Sequence, residues 1–144
     1  MTLVDIKKAI NTTLKENFPT IKRYPPEVKE GFKKPSFFIE LLPIMRQKQG
    51  KYHYFRKVTV LIRYFSESET ELENLKMQDQ LEEVFGQVLK VNDRVITLEE
   101  VEGRIIDEVL QFQFDISYVD SLEEDKVYGY EEAELMEELI MEEE

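Results

Sequence analysis

Apolar residues recur every three or four positions near the start of the chain, and this spacing predicts an amphipathic helix over residues 2–18. Thr2 and Asp5 stand at capping-box spacing, and Pro19 ends the helix. The face that is predicted to be buried carries Leu3, Ile6, Ile10 and Leu14. The first element is therefore expected to be a helix with one side on the core.

A second helix is predicted from Ser68 onward, because Ser68 and Glu71 also stand at capping-box spacing. Acidic residues fill its first turns, where the helix dipole favours negative charge. Its apolar stripe is predicted to comprise Leu72, Leu75, Leu81, Phe85 and Val88, with Met77 and Val84 at its margin. We expect this stripe to face the core.

Five other segments carry strand patterns. Residues 52–65 are apolar on both faces, which indicates a central strand covered by helices or by another subunit. Residues 109–119 alternate strictly and predict a half-buried antiparallel strand, whose inward positions are Leu110, Phe112, Phe114, Ile116 and Tyr118. The other predicted strands are residues 21–24, residues 36–45 and a β-rich stretch over residues 94–106.

The connections between these elements are polar or rich in turn formers. Residues 25–35 are expected to form a loop or an irregular arm, and residues 46–51 the tip of a hairpin. Asn92 and Asp93 predict a turn, whereas Glu102 and Gly103 predict a bulge or a tight turn.

The order of helix, strands, helix and strands is typical of an α+β domain with a mostly antiparallel sheet flanked by two main helices. The length of 144 residues fits one domain. We assign residues 1–122 to this domain and residues 123–144 to an acidic C-terminal tail.

Charge is distributed unevenly along the chain, whose net charge is −12. Residues 123–144 hold eleven acids and Lys126, which gives −10. Residues 22–57 hold ten bases and three acids, a local +7, and residues 67–83 hold seven acids and one base, a local −6. These segments are either solvated faces or complementary surfaces that pair during association.

The acidic tail has an apolar stripe of its own, made of Leu135, Met136, Leu139 and Ile140. Glu134, Glu138 and Glu142 repel one another at four-residue spacing, so an isolated helix would be marginal here. The tail is therefore either disordered or docked on a partner through this stripe.

Residues suited to catalysis or metal binding are scarce. The chain has one histidine, His53, and no cysteine, and its five glycines are too far apart for a phosphate-binding loop. Glu40 lies in an apolar strand, where pairing with a base across the sheet explains it more simply than an acid role in hydrolysis. We predict no enzyme, no metal site and no cofactor.

Two further classes of function receive little support. The mixture of bases and aromatic residues over residues 22–57 suits single-stranded nucleic acid, but the pI near 4.7 does not. No apolar run is long enough to cross a bilayer and no signal peptide opens the chain, so a cytoplasmic protein is expected.

The pattern resembles a known family through the segment KKPSFFIELLPIMRQKQGKYHYFRKVTVLIRYFSESETELENLKMQDQLEEVF. Its two strands and the Ser/Glu-rich entry to the second helix resemble tail terminator (tail completion) proteins of prophages of Gram-positive bacteria, including PBSX-like elements with contractile tails. The resemblance covers residues 2–120 and leaves the acidic tail unmatched.

This resemblance implies a structural protein of the virion tail, assembled in the bacterial host cytoplasm. Family members form a six-membered ring on the tail tube, stop its growth and offer a surface to head-completion (neck) proteins. Contact with the last sheath ring is a further implication. DNA would only pass through the lumen, which the acidic tail either lines or leaves for an outward partner.

A ring requires one face of each subunit to meet a different face of the next. We therefore expect residues 22–57 of one subunit to face the helix within residues 67–83 of its neighbour. The loop of residues 25–35 and the hairpin tip of residues 46–51 either contact the tube or the neighbouring subunit, or are ordinary solvent-exposed loops. The candidate interface residues are Lys29, Lys33, Lys34, Arg46, Lys48, Lys51, Glu69, Glu71 and Glu73. The alternatives are a neck protein, a nucleic-acid binder and, last, a hydrolase that uses Glu40.

Overall fold

The computed structural model describes residues 1–121, which form two helices, a five-stranded sheet and a separate two-stranded hairpin. The sheet order is β1-β2-β3-β7-β6, with β1 parallel to β2 and all other neighbours antiparallel. The predicted α+β class is confirmed. The elements are α1 (Leu3–Asn17), β1 (Lys22–Tyr24), β2 (Ser36–Gln49), β3 (His53–Phe65), α2 (Glu71–Phe85), β4 (Val88–Val91), β5 (Arg94–Thr97), β6 (Val101–Ile106) and β7 (Val109–Ser121).

Helix α1 begins as predicted, with a complete capping box. The Thr2 hydroxyl accepts a hydrogen bond from the Asp5 N–H at 3.1 Å, and the Asp5 carboxylate accepts one from the Thr2 N–H at 2.9 Å. Ile6, Ile10 and Leu14 are fully buried, so the three-and-four spacing of the sequence identified the core face correctly.

Helix α2 begins later than predicted, at Glu71, with Thr70 as its N-cap. Thr70 has an extended backbone and accepts the Glu73 N–H at 3.3 Å, whereas the Ser68 N–H is bound by the Glu73 carboxylate at 3.0 Å. The predicted box at Ser68 and Glu71 is therefore wrong. A second hydroxyl two residues further on supplies the cap instead.

The predicted apolar stripe of α2 is also partly wrong. Leu72 and Leu75 are 62% and 48% exposed, and Val88 belongs to β4. The buried face of α2 comprises Asn74, Met77, Leu81 and Phe85. Asn74 orients this face, because its side-chain amide donates a hydrogen bond to the Glu108 carbonyl at 3.0 Å.

Strand β2 extends further than the apolar pattern predicted, whereas β3 matches its prediction to within one residue. Residues 46–49 belong to β2 and pair with residues 53–56 of β3, so the expected hairpin tip shrinks to the turn around Gly50. Gly50 has a φ of +69°, which suits glycine. A register shift between Pro43 and Met45 interrupts the ladder once.

The connection between β6 and β7 lies elsewhere than predicted. Gly103 pairs regularly with Phe112, and the turn is formed by Asp107 and Glu108, whose φ values are +50° and +66°. Gly103 has a packing role instead, because an added Cβ would lie 1.9 Å from the Gln78 side-chain oxygen of α2. The predicted turn at Asn92 and Asp93 is present between β4 and β5.

Both helices contribute to one core on the same face of the sheet, and β3 lies at the centre as predicted. The inward positions of β7 are buried as predicted from the alternation. On the opposite face, Phe32 of the loop packs against Phe38 and Phe65 with ring centroids 4.9 Å apart. The stretch of residues 25–35 is therefore an irregular arm that covers the part of this face around Phe38 and Phe65.

Candidate assembly surfaces

The exposed end of the β2–β3 hairpin is strongly basic. Residues 45–57, which we name the basic hairpin, contain Arg46, Lys48, Lys51, Arg56 and Lys57 and no acid. Residues 42–50 are all exposed, while β7 runs beside β3 as far as the pairing of Ser121 with His53. The last residue of β7 thus lies beside the end of the hairpin.

Cross-strand pairing places bases and aromatic rings on one face of this region. Arg46, Arg56 and Tyr118 form one row across three strands, and Lys48, Tyr54 and Asp120 form the next. The Arg46 guanidinium lies 4.3 Å from the centre of the Tyr54 ring. We name these two rows, together with Arg94, the basic-aromatic face.

Arg94 reaches this face from β5. Its guanidinium lies 5.5 Å from the centre of the Tyr118 ring, donates a hydrogen bond to the Val119 carbonyl at 2.8 Å and lies 3.5 Å from the Asp120 carboxylate. The Met1 amino group also contacts that carboxylate, at 2.9 Å. Asp120 is therefore held by two cations.

Two groups on the basic-aromatic face have shifted pKa values. Burial raises the pKa of Tyr118 above its ordinary value, and the positive charge of Arg56 opposes this. The Tyr118 side chain is 5% exposed, and its buried hydroxyl has no hydrogen-bond partner within residues 1–121. Burial would raise the pKa of Asp120, but the Met1 amino group, the Ser121 N–H and Arg94 together outweigh it, so the pKa is lowered.

Helix α2 and β6 form a second surface, on which exposed apolar side chains stand beside polar and acidic ones. Leu75 and Ile105 are 48% and 41% exposed and line a groove of about 330 Å³ between the two elements. Leu72 lies one helical turn before Leu75, and Glu82 stands at the groove. We name this surface the α2–β6 groove.

The α2–β6 groove and the basic-aromatic face lie toward opposite ends of β7. The start of α2 is bound to the β6–β7 turn through Asn74, and Leu110 is the first buried residue of β7 after that turn. Asp120 of the basic-aromatic face lies ten residues further along β7, which corresponds to roughly 33 Å. The two surfaces are therefore well separated within one subunit.

Comparison with known protein families identifies the family of this chain. The family described as phage tail terminator protein matches residues 5–128. The chain belongs to the phage tail terminator protein family. It is accordingly a structural component of phage tail assembly, and the prediction of a tail terminator protein is confirmed.

Other comparisons add little to the family assignment. No curated protein matches the tail terminator chain. One solved structure has 13% identity and a TM-score of 0.46, with 85% of this chain and 97% of that chain covered, and this likeness carries no argument. None of the helices in residues 1–121 is long and apolar enough to cross a bilayer.

Some predicted interface residues of the tail terminator have partners within their own subunit. Lys34 forms an ion pair with Glu69, which links the irregular arm to the start of α2. Glu73 binds the Ser68 N–H and stabilises the helix start. These three side chains therefore have structural roles in the single subunit.

The remaining predicted interface residues lie on the outside of the subunit. Lys29 and Lys33 are exposed on the irregular arm, and Glu71 is exposed at the first position of α2. Arg46, Lys48 and Lys51 belong to the basic hairpin. The predicted docking residues Leu135, Met136, Leu139 and Ile140 lie outside the described residues.

Sequence reasoning missed the parts of both surfaces that depend on tertiary packing. Leu72 and Leu75 were assigned to the core, although a second stripe through Met77 competes with theirs. Tyr118 was identified as inward, but nothing in the sequence indicated that Arg56 and Arg94 meet it.

Glu40 pairs with a base across the sheet, as the sequence predicted. Its carboxylate is 3.3 Å from the Arg63 guanidinium on the neighbouring strand β3. Within residues 1–121, no three His, Asp or Glu side chains come close enough to hold a metal ion. The arrangement of Glu40 is that of a cross-strand ion pair on the open face of the sheet.

Proposed function

We propose that this tail terminator forms a ring on the end of the phage tail tube, stops tube polymerisation and provides the docking surface for neck proteins. The observation that carries this proposal is the pair of unlike surfaces at opposite ends of one subunit. A cyclic ring is built from such heterologous contacts, in which one surface meets a different surface of the next copy.

The two surfaces are complementary in chemistry. The basic hairpin carries exposed apolar side chains, including Met45 and Tyr52, which are 45% and 51% exposed. The α2–β6 groove offers exposed leucines, and helix α2 carries acids such as Glu71 and Glu82 on its exposed side. Apolar contact at the centre with opposite charges at the rim is the usual anatomy of a specific interface.

Finer details of the proposal rest on the resemblance to PBSX-like proteins of Gram-positive prophages. They comprise six copies in the ring, contact with the tail tube protein and the sheath of a contractile tail, and passage of DNA through the lumen. The net charge of −12 is compatible with DNA sliding past the ring, because phosphates would find few counter-charges there.

Tube assembly in the presence of the protein tests this function. Purified tail tube protein is polymerised with and without the full chain, and tube lengths are measured by electron microscopy. We expect shorter tubes with a ring at one end. Unchanged lengths and bare ends at saturating protein would rule out the capping function.

Charge reversal then tests the proposed contact. Arg46→Glu should abolish ring formation. For the free protein, the ring is measured by light scattering after size-exclusion chromatography. Lys8→Glu on the exposed side of α1 makes the same change of charge away from both surfaces and should leave the rings intact. Equal loss in both variants would indicate a general charge effect and contradict a specific hairpin contact.

A further inference from the structure

The basic-aromatic face has more positive charge than the rest of residues 1–121 neutralises. Arg46 and Arg56 stand directly opposite each other in one of its rows, whereas Arg94 has Asp120 as a partner. Arg46 and Arg56 form no salt bridge with any residue in this part of the chain. A face of this kind is suited to an anionic partner.

The sequence supplies an anionic segment at the right place. Residues 123–144 carry eleven acids and one base, and they follow β7, whose last residue pairs with His53 at the end of the hairpin. Glu123 is two residues beyond Ser121, a reach of roughly 7 Å. Attachment to the same chain gives such a segment a high effective concentration at the face.

We propose that the acidic segment of residues 123–144 docks on the basic-aromatic face of its own subunit. Its carboxylates bind Arg46, Arg56 and Arg94.

The docked segment competes with a neighbouring subunit for the hairpin. Ring formation by the free protein is then weaker than it would be without the docked segment, a consequence that rests on the proposed function. The docking itself requires only the single subunit, so it can be tested without tube protein.

Distance measurement on the full chain tests the docking. Because the chain has no cysteine, Gln47→Cys and Met141→Cys introduce the only two thiols, and both are spin-labelled. Gln47 pairs with Phe55, so it lies on the face opposite to Arg46 and its label leaves the basic-aromatic face unaltered. Double electron–electron resonance then measures the separation of the two labels at low protein concentration.

We expect a population with one short distance at 0.1 M salt and its loss at 1 M salt, where the screening length falls from about 10 Å to about 3 Å. The double variant Arg46→Glu with Arg56→Glu should lose it at low salt, and Lys8→Glu with Lys90→Glu should retain it. A broad distribution that neither salt nor the double variant changes would overturn the proposal.

Singly labelled chains show whether the segment on the face belongs to the same subunit or to a second copy. A mixture of Gln47→Cys and Met141→Cys chains should give no short distance, because docking is within one subunit. A short distance in this mixture would mean that the segment binds a second copy, and it would overturn the intrachain proposal while leaving the ring intact. Unlimited tube growth with intact docking would refute the proposed function alone.

Discussion

Arg46 of β2 lies directly opposite Arg56 of β3, so two guanidinium groups face each other across the exposed end of the hairpin. Like charges in this position destabilise an antiparallel pair. Arg46 is stacked on Tyr54, but neither arginine is neutralised by an acid within residues 1–121. The arrangement is therefore better suited to binding an anionic segment than to stabilising the subunit.

Replacement of Arg46 by glutamine separates these two contributions. Arg46→Gln removes the repulsion from Arg56 and the cation–π contact with Tyr54, which are opposite in sign and each about 0.5–1 kcal/mol. We expect the free energy of unfolding in urea to change by less than about 1 kcal/mol. Ring assembly, followed by sedimentation velocity, should weaken clearly. If Arg46→Gln unfolded enough of the protein to explain the weaker assembly, Arg46 would stabilise the subunit and would not be a contact residue.

A single glycine substitution in the β6–β7 turn is expected to stabilise the folded protein. Glu108 has a φ of +66°, a left-handed conformation that costs a residue with a Cβ about 1–2 kcal/mol. Part of the gain from Glu108→Gly is offset by the greater freedom of glycine in the unfolded chain. We predict a net stabilisation of about 0.5–1 kcal/mol in chemical denaturation.

Glu102→Gly is the matched control for this turn. Glu102 lies in β6 of the same hairpin, where glycine should destabilise by about 0.5–1 kcal/mol. Equal effects of the two substitutions would show that the turn conformation does not limit stability. The hydrogen bond from Asn74 uses the Glu108 carbonyl, so Glu108→Gly leaves it intact.

Asp120 should make the protein less stable in acid. Burial alone would raise its folded-state pKa, but the Met1 amino group, the Ser121 N–H and Arg94 outweigh burial and lower it. The unfolded chain therefore binds the proton of Asp120 more readily than the folded one. The stabilisation is present above the ordinary aspartate pKa of about 3.9 and is lost as the pH falls through the lower folded value.

Asp120→Asn tests this contribution by thermal unfolding at several pH values. The variant should be less stable than the parent at pH 7, and the difference should shrink as the pH falls below about 4. Asp93→Asn, in the exposed turn between β4 and β5, serves as a control with no such trend expected. A constant difference across the range would assign the effect of Asp120 to packing.

Sequence patterns predicted the elements that have only one possible core face. Helix α1 has a single apolar stripe through Ile6, Ile10 and Leu14, and strand β7 alternates without exception. Helix α2 has two overlapping stripes, and the choice between them depends on the bond from Asn74 to β7's turn and on the close approach at Gly103. Those contacts join residues far apart in the chain, and no local pattern contains them.

The basic-aromatic face was hidden by one irregularity in register. The shift between Pro43 and Met45 changes which side chains of β2 lie on which face, and only after it does Arg46 stand opposite Arg56. The apolar alternation ends at this point, so periodicity predicted a loop where the ladder continues. The bases were identified individually, but their common face depends on this bulge.

Two leucines of α2 test which face of the helix is the core. Leu81 is fully buried, and Leu81→Ala should cost about 2–5 kcal/mol of unfolding free energy in guanidinium chloride. Leu75 is 48% exposed, and Leu75→Ala should cost less than about 1 kcal/mol because little apolar area leaves the interior. Ring assembly should show the opposite order when the two variants are compared at equal concentrations of folded subunit. Leu75→Ala should weaken assembly more than Leu81→Ala, because Leu75 lies on the α2–β6 groove and Leu81 does not. If Leu75→Ala were as destabilising as Leu81→Ala, the groove would belong to the core, and the proposed contact with the hairpin of the neighbour would have no surface to bind.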